Sequence, residues 1–282
     1  MTRLRNSMPL PLSNLLGVFE SLWPVSGAEE WDRPGLATGS VRQDITTALL
    51  CVDVTLGVLS EAKEQGCELV ISHHPLLLKA VNFLSENQLK GELVSFAVKN
   101  SIAIFSAHTN ADIVIDGVSD VLAQQLGLAN TTPLIATGNG IGHGRIGKLK
   151  KPQSLSEYAK LVASFLPDTN APIRVAGDLS RVIETVAVVG GAGDSFIPAA
   201  QELGADLLVT SDLRHHVVLD AVSDPANPLA LIDISHFAAE SLWLKPTQTT
   251  LSKLIPEVSF VVSQISTDPW SMSVQGRGSS EG

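Results

Sequence analysis

The chain has 282 residues, 44% hydrophobic and 17% charged, with 19 Lys and Arg against 29 Asp and Glu for a formal net charge of −10. That much apolar material supports a core and excludes disorder of the whole chain, and the length allows one large domain or two lobes of ordinary size. The acidic balance, with no run of Lys and Arg, removes the electrostatic basis for binding nucleic-acid backbones, while a phosphate-bearing small molecule could still be held by metals or backbone amides.

At the start of the chain, Arg3 and Arg5 are followed by Asn6, Pro9, Pro11 and Ser13 instead of a long apolar run, so no signal peptide is expected. The longest apolar stretch, Ala48 to Leu59, is broken by Asp53 and is too short to span a bilayer. Cys51 and Cys67 sit in apolar stretches without CxxC spacing. They read as small buried hydrophobes in a protein of the reducing cytoplasm.

Ala48-Leu-Leu-Cys-Val-Asp53 reads as a buried strand, and Val58, Leu59 and Ala62 fall at helical spacing after it. Gly66 stands where a helix C-cap wants a left-handed residue, and Leu69 to Ile71 is the next strand. The same βαβ pattern recurs 138 positions on. There Val186 to Gly191 is the strand, Ile197, Ala200 and Leu203 give the helix, Gly204 the cap and Leu207 to Val209 the second strand. Ala62 falls on Ala200, Glu68 on Asp206 and Ser72 on Thr210. Downstream the offset shifts, and Ile102 to His108 matches Ala230 to His236, each with an acid four residues later, Asp112 and Glu240. The pattern predicts an internal duplication.

Between the copies, Thr137 to Gly147 is glycine-rich and suggests turns or close backbone packing. Ser154 to Phe165 reads as an amphipathic helix, with Leu155, Tyr158, Leu161, Val162 and Phe165 on one face and Ser154 with Glu157 as a capping box. Gly190-Gly-Ala-Gly193 is an incomplete match to a dinucleotide fingerprint and reads as a tight strand-to-helix turn. Residues 275–282 are Gly/Ser-rich and read as a loose tail.

Six of the seven histidines sit at or just beyond the ends of expected strands, where α/β sheets gather ligands. Neighbours on a strand face opposite ways, so His73 and His74 can converge only if the strand has ended, and Pro75 favours that. His236 and Glu240, four apart, stand on one face of a helix. His108 and Asp112 repeat the spacing, with Asn110 weakening the local helix pattern. Imidazoles with carboxylates and no thiolate suit Zn, Mn, Fe, Co or Ni ions. Singly, each of these patterns also fits a surface turn or a hydrogen-bonded core histidine.

Trp31-Asp-Arg-Pro-Gly35, Ser72-His-His-Pro75, His108-Thr-Asn-Ala-Asp112, Gly190 to Gly193, Thr210-Ser-Asp212 with His216, and Ser235-His-Phe-Ala-Ala-Glu240 occur in order. Together with Ile141 to Gly147 they resemble the motif set of the GTP cyclohydrolase 1 type 2 (Nif-three-like) family. The resemblance implies an α/β fold of two similar, intertwined lobes, with mixed sheets flanked by helices. It divides the chain into residues 1–130 and 131–282, the second lobe returning His236 and Glu240 to a shared cleft. It implies a homohexamer and two divalent metal ions per chain, held by His73, His74, Asp112, His236 and Glu240, with Glu240 bridging. His108 and His216 are the candidate proton carriers, and Asp212 lines the cleft. The chain has no room for the domain that some members insert between lobes. It departs from the family pattern at His215, where an aromatic residue is frequent, and at Ser211, where Gly is. The expected function is a metal-dependent hydrolase acting on a nucleotide or related heterocycle, with no membrane or nucleic-acid partner. The competing expectation is a non-catalytic metal-binding, metal-handling or scaffold protein.

Overall fold

The computed structural model describes residues 9–138 and 140–274; the expectations for Arg3, Arg5 and the tail at 275–282 lie outside them. The chain divides into two compact units. One runs to Val121 and takes up Glu240–Thr267; the other is Leu122–Ala239 and resumes at Asp268.

The first unit is built on a five-stranded sheet in the order Ser259–Val262, Thr47–Cys51, Leu69–Ser72, Ala103–Ser106, Gly35–Thr38. Its first four strands run parallel and the last is antiparallel. Leu69–Ser72 and Ala103–Ser106 are buried at every position, which is why they read as continuous apolar runs rather than alternations. Leu56–Glu64 and Leu89–Lys99 are the connecting helices. Leu49, Val58, Leu59, Val70, Leu93 and Ile104 pack in the core between sheet and helices.

The second unit has a six-stranded sheet in the order Arg174–Ala176, Ala230–Asp233, Leu207–Ser211, Val182–Ala192, Arg145–Ser154, Leu128–Thr132. Its three parallel strands, Val182–Ala192, Leu207–Ser211 and Ala230–Asp233, have antiparallel neighbours on either side. The glycine-rich stretch becomes a hairpin, Ile135–Gly138 against Ile141–His143, leading into Arg145–Ser154. Ser154 caps the helix Leu155–Phe165 with the expected capping box.

The duplication is visible bond by bond. Thr55 N-caps the first copy's helix by accepting from Val58 N. Gly66 and Gly204 end the two helices at φ +67° and +72°. Glu68 accepts from the backbone N–H of Thr46 and Thr47 (3.1 and 2.9 Å). Asp206 does the same for Glu184 and Thr185 (3.0 and 2.9 Å). Cys67 N donates to Ala62 O, as Ala205 N does to Ala200 O. The glycine turn is a packing device, since a Cβ on Gly193 would meet Thr210 Oγ1 at 2.1 Å.

Downstream, the ladder corrects the alignment by one residue. Ala107 N donates to Ser72 O, and Ile234 N donates to Thr210 O. His108 therefore matches Ser235, and His236 matches Thr109. His108 is the residue before the short helix Thr109–Asp112. Ser235 is the corresponding cap, accepting from Ala238 N (3.1 Å), and His236 is the first residue of the helix His236–Leu254. The two histidines match in residue type alone, whereas the sheet matches backbones.

Candidate metal centre

In the first unit, three parallel strands end side by side, and each end delivers a site residue. Leu69–Ser72 stops at His73. There Ser72 Oγ shares a hydrogen bond with Ser106 Oγ (2.8 Å) and donates to His74 O (2.8 Å). His73 N and His74 N continue the ladder by donating to Cys51 O and Val52 O. Beyond the strand the two imidazoles converge, their ring centres 5.0 Å apart. Ala103–Ser106 leads to His108, whose ring lies 5.2 Å from that of His73 and 5.4 Å from that of His74. Asn110 pins this junction: its side chain accepts from His108 N (2.9 Å) and donates to Trp23 O (2.7 Å). The residue that weakened the helix pattern in the sequence thus has a structural task. A ligand nitrogen of each of His73, His74 and His108 lies within 4.8 Å of the others.

Two carboxylates meet these imidazoles. Glu240, only 3% exposed, has Oε1 at 3.4 Å from Nε2 of His73 and Oε2 at 3.1 Å from Nε2 of His74. Asp112 Oδ1 is 3.6 Å from Nε2 of His73. The Nε2 of His73 is buried with no hydrogen bond of ordinary geometry among the described residues. Such an atom, ringed by carboxylate oxygens, fits a cation as its partner.

The other nitrogen of each ring is taken. His73 Nδ1 donates to Ala107 O (2.9 Å), His74 Nδ1 to Asp53 (2.7 Å) and His108 Nδ1 to Asp32 (2.8 Å). A carbonyl or carboxylate only accepts, so Nδ1 carries the proton and Nε2 is the atom left to ligate. Burial disfavours the charged imidazoles of His73 and His74, but Glu240, with Asp112 for His73 and Asp53 for His74, outweighs it and holds both above their ordinary value, His74 at about 10. The cluster demands positive charge where the Nε2 atoms converge, and a divalent ion answers the same demand. Asp32 is also buried, yet hydrogen bonds from His108, Thr109 and the backbone of Arg33 hold it down at about 2.

In the second unit His236 is partly exposed, and its Nδ1 donates to Asp212 (2.7 Å), which adopts φ +59°. His236 is one turn ahead of Glu240 on the same helix. His215 and His216 are exposed at the start of the helix His215–Ser223, their rings 5.1 Å apart. Asp32, Asp53 and Thr267 join the site with no local spacing that marks them. Asp32 lies inside the Trp31–Gly35 motif, and Asp53 is the polar end of an apolar strand, the position at which α/β sheets place functional groups.

A duplicated α/β fold with a buried histidine–carboxylate group at its strand ends presents a candidate metal site. The family model for Duf34/NIF3 (NGG1p interacting factor 3) matches residues 10–269, and the chain belongs to that family. It is 37% identical to the GTP cyclohydrolase 1 type 2 homolog of Streptomyces coelicolor, the match covering 93% of this chain and 94% of that one. The homolog from Clostridium perfringens is 35% identical over 93% and 99%. Among solved structures, the Bacillus cereus protein related to NIF3 superposes with a TM-score of 0.86 at 24% identity, over 96% of this chain and all of that one. A Staphylococcus aureus protein also gives 0.86, at 27% identity over 94% and 100%. No helix among the described residues is long and apolar enough to cross a membrane.

Proposed function

We propose that this protein is a dinuclear metal-dependent hydrolase of the cytoplasm acting on a nucleotide or related heterocycle, with GTP ring opening as the leading candidate. The buried Nε2 of His73 facing Asp112 and Glu240 carries the reading. His73, His74, Asp112 and Glu240 would hold the ions, with Glu240 between them and His236 joining from the preceding turn of its helix. When bound, divalent ions supply Lewis acidity that polarises the attacked centre and activates water at neutral pH. His108 is the proton carrier, since Asp32 fixes its ring against the cluster, and His216 is a second one at the exposed helix start.

Trp31 supports a planar substrate. It is 56% exposed, with its ring edge-on to His108 at 5.9 Å. Glu29 N donates to Thr109 Oγ1 (3.0 Å) and Asp32 N donates to Glu29 O (2.9 Å), so the loop that carries the indole is anchored. An exposed, pre-positioned indole is a stacking surface. The names of the curated relatives point to the same chemistry. Two buried free thiols suit a reducing compartment.

Protein purified without chelator should contain close to two divalent ions per chain. After loading with Zn, Mn or Fe it should convert GTP or another nucleoside triphosphate to a ring-opened product. One ion or none after reloading sinks the dinuclear centre. A fully loaded protein that turns over none of the common nucleoside triphosphates sinks the hydrolase.

A further inference from the structure

Two side-chain chains of identical composition stand behind the cluster. In the first, Thr109 Oγ1 donates to Asp32 Oδ2 (2.6 Å), and Asp32 Oδ1 accepts from His108 Nδ1 (2.8 Å). In the second, Thr267 Oγ1 donates to Asp53 Oδ2 (2.6 Å), and Asp53 Oδ1 accepts from His74 Nδ1 (2.7 Å). Sequence proximity did not create them, since Asp32 lies 76 residues before His108 and Thr267 lies 214 after Asp53. His73, the most enclosed imidazole, is backed instead by a neutral carbonyl, that of Ala107.

We propose that these two Thr–Asp–His chains are positioning devices for the metal centre, with the threonine hydroxyls as their outer anchors. The inference rests on reading His74 as a ligand and His108 as the proton carrier of a metal site. A lone carboxylate swings between rotamers. One that accepts from a threonine on one oxygen and an imidazole on the other is held in a single orientation, and so is the imidazole. The carboxylate also polarises the ring, which makes Nε2 of His74 the stronger donor to a cation and Nε2 of His108 the stronger base.

Thr267 is the cleaner member to test, because Thr109 also supports the backbone of Glu29. Thr267 follows the strand Ser259–Val262, and its segment is moored where Ser263 Oγ and Gln264 N both donate to Glu61. Its hydroxyl is thereby brought to Asp53. The C-terminal end of the first unit serves the site without supplying a ligand to it.

The test compares wild type with Thr267→Val, Thr267→Ser and Asp53→Asn by Zn²⁺ competition against a chromophoric chelator. The absorption spectrum of the Co²⁺-loaded protein and the melting of the metal-free protein are recorded alongside. Asp53→Asn should weaken Zn²⁺ binding by roughly 10–100-fold. Thr267→Val should cause a smaller loss with an altered Co²⁺ spectrum, and Thr267→Ser should restore both. The metal-free melt of Thr267→Val should match wild type. If wild type binds Zn²⁺ tightly and both Thr267→Val and Asp53→Asn match it, the positioning role is overturned while the metal site stands. If Thr267→Val loses affinity only together with stability, or Thr267→Ser fails to restore it, the threonine is structural and the proposal falls. A wild type that binds no Zn²⁺ or Co²⁺ removes the metal reading and this inference together.

Discussion

Glu240 faces two imidazoles at once, one from each oxygen, while being almost wholly removed from water. A buried carboxylate is costly unless cations surround it, so this residue is tied to whatever positive charge the site holds. Glu240→Gln keeps the shape and removes the charge. We expect the variant to fold, and to lose more metal affinity than the roughly 10–100-fold that a supporting partner costs. Exposed Glu92 is the control: Glu92→Gln should stay within about 0.5 kcal/mol of wild-type stability and leave metal content unchanged. Circular dichroism and elemental analysis on the same samples decide it, and a folded Glu240→Gln with wild-type affinity shows that the centre lies elsewhere. At this scale much was legible. His73, His74 and His108 stand out in the sequence as histidines at the ends of apolar runs, and Asp112 and Glu240 as acids four residues after a histidine. Asp32 and Asp53 did not, because their meaning lies in which imidazole they face across long stretches of chain. Pairing of that kind leaves no local spacing to read.

At the scale of elements, the duplication makes a quantitative forecast. Glu68 and Asp206 occupy equivalent positions and each accepts from two successive backbone N–H groups, with Thr46 Oγ1 also donating to Glu68 (2.8 Å). Leaving such donors unmatched costs about 1–3 kcal/mol. Glu68→Ala and Asp206→Ala should therefore destabilise the protein by similar amounts without changing the metal content of the folded fraction. Urea unfolding measures the first and elemental analysis the second. An effect below about 0.5 kcal/mol for either would show that the shared geometry contributes little there. The βαβ repeats were readable because apolar strands and cap glycines obey local rules. The one-residue slip at the third strand was not, because it depends on which carbonyl accepts from Ala107 and Ile234. The slip also separates fold from chemistry. The first copy places a histidine at the cap and the second places one a residue later, in the helix, so the repeated backbone offers its two halves different side chains.

At the scale of the whole molecule, the family resemblance implies assembly with further copies of this chain, and we propose that exposed apolar side chains of the first unit contribute to the contact. Phe83 is 72% exposed, Leu89 66% and Val98 59%, all within the helix Leu89–Lys99 and the loop before it. Burying one such Phe or Leu side chain between copies would contribute about 1.5–3 kcal/mol. The resemblance noted in the sequence points to a closed ring of six, which for a chain of 29.8 kDa is a particle of about 180 kDa. Each chain carries a net charge of −10, so assembly works against like-charge repulsion. Salt screens that repulsion and leaves apolar burial intact. Light scattering should therefore find the large species at micromolar concentration, at least as abundant in 0.5 M salt, roughly five times the ionic strength at which the Debye length is about 10 Å, as at low salt. Phe83→Asp should shift the population to smaller species without altering circular dichroism. A wild-type particle the size of one chain defeats the ring; a Phe83→Asp protein that still assembles fully moves the contact to another face. An assembly that dissolves as salt rises would mean that charge pairs, rather than this apolar surface, hold the copies together.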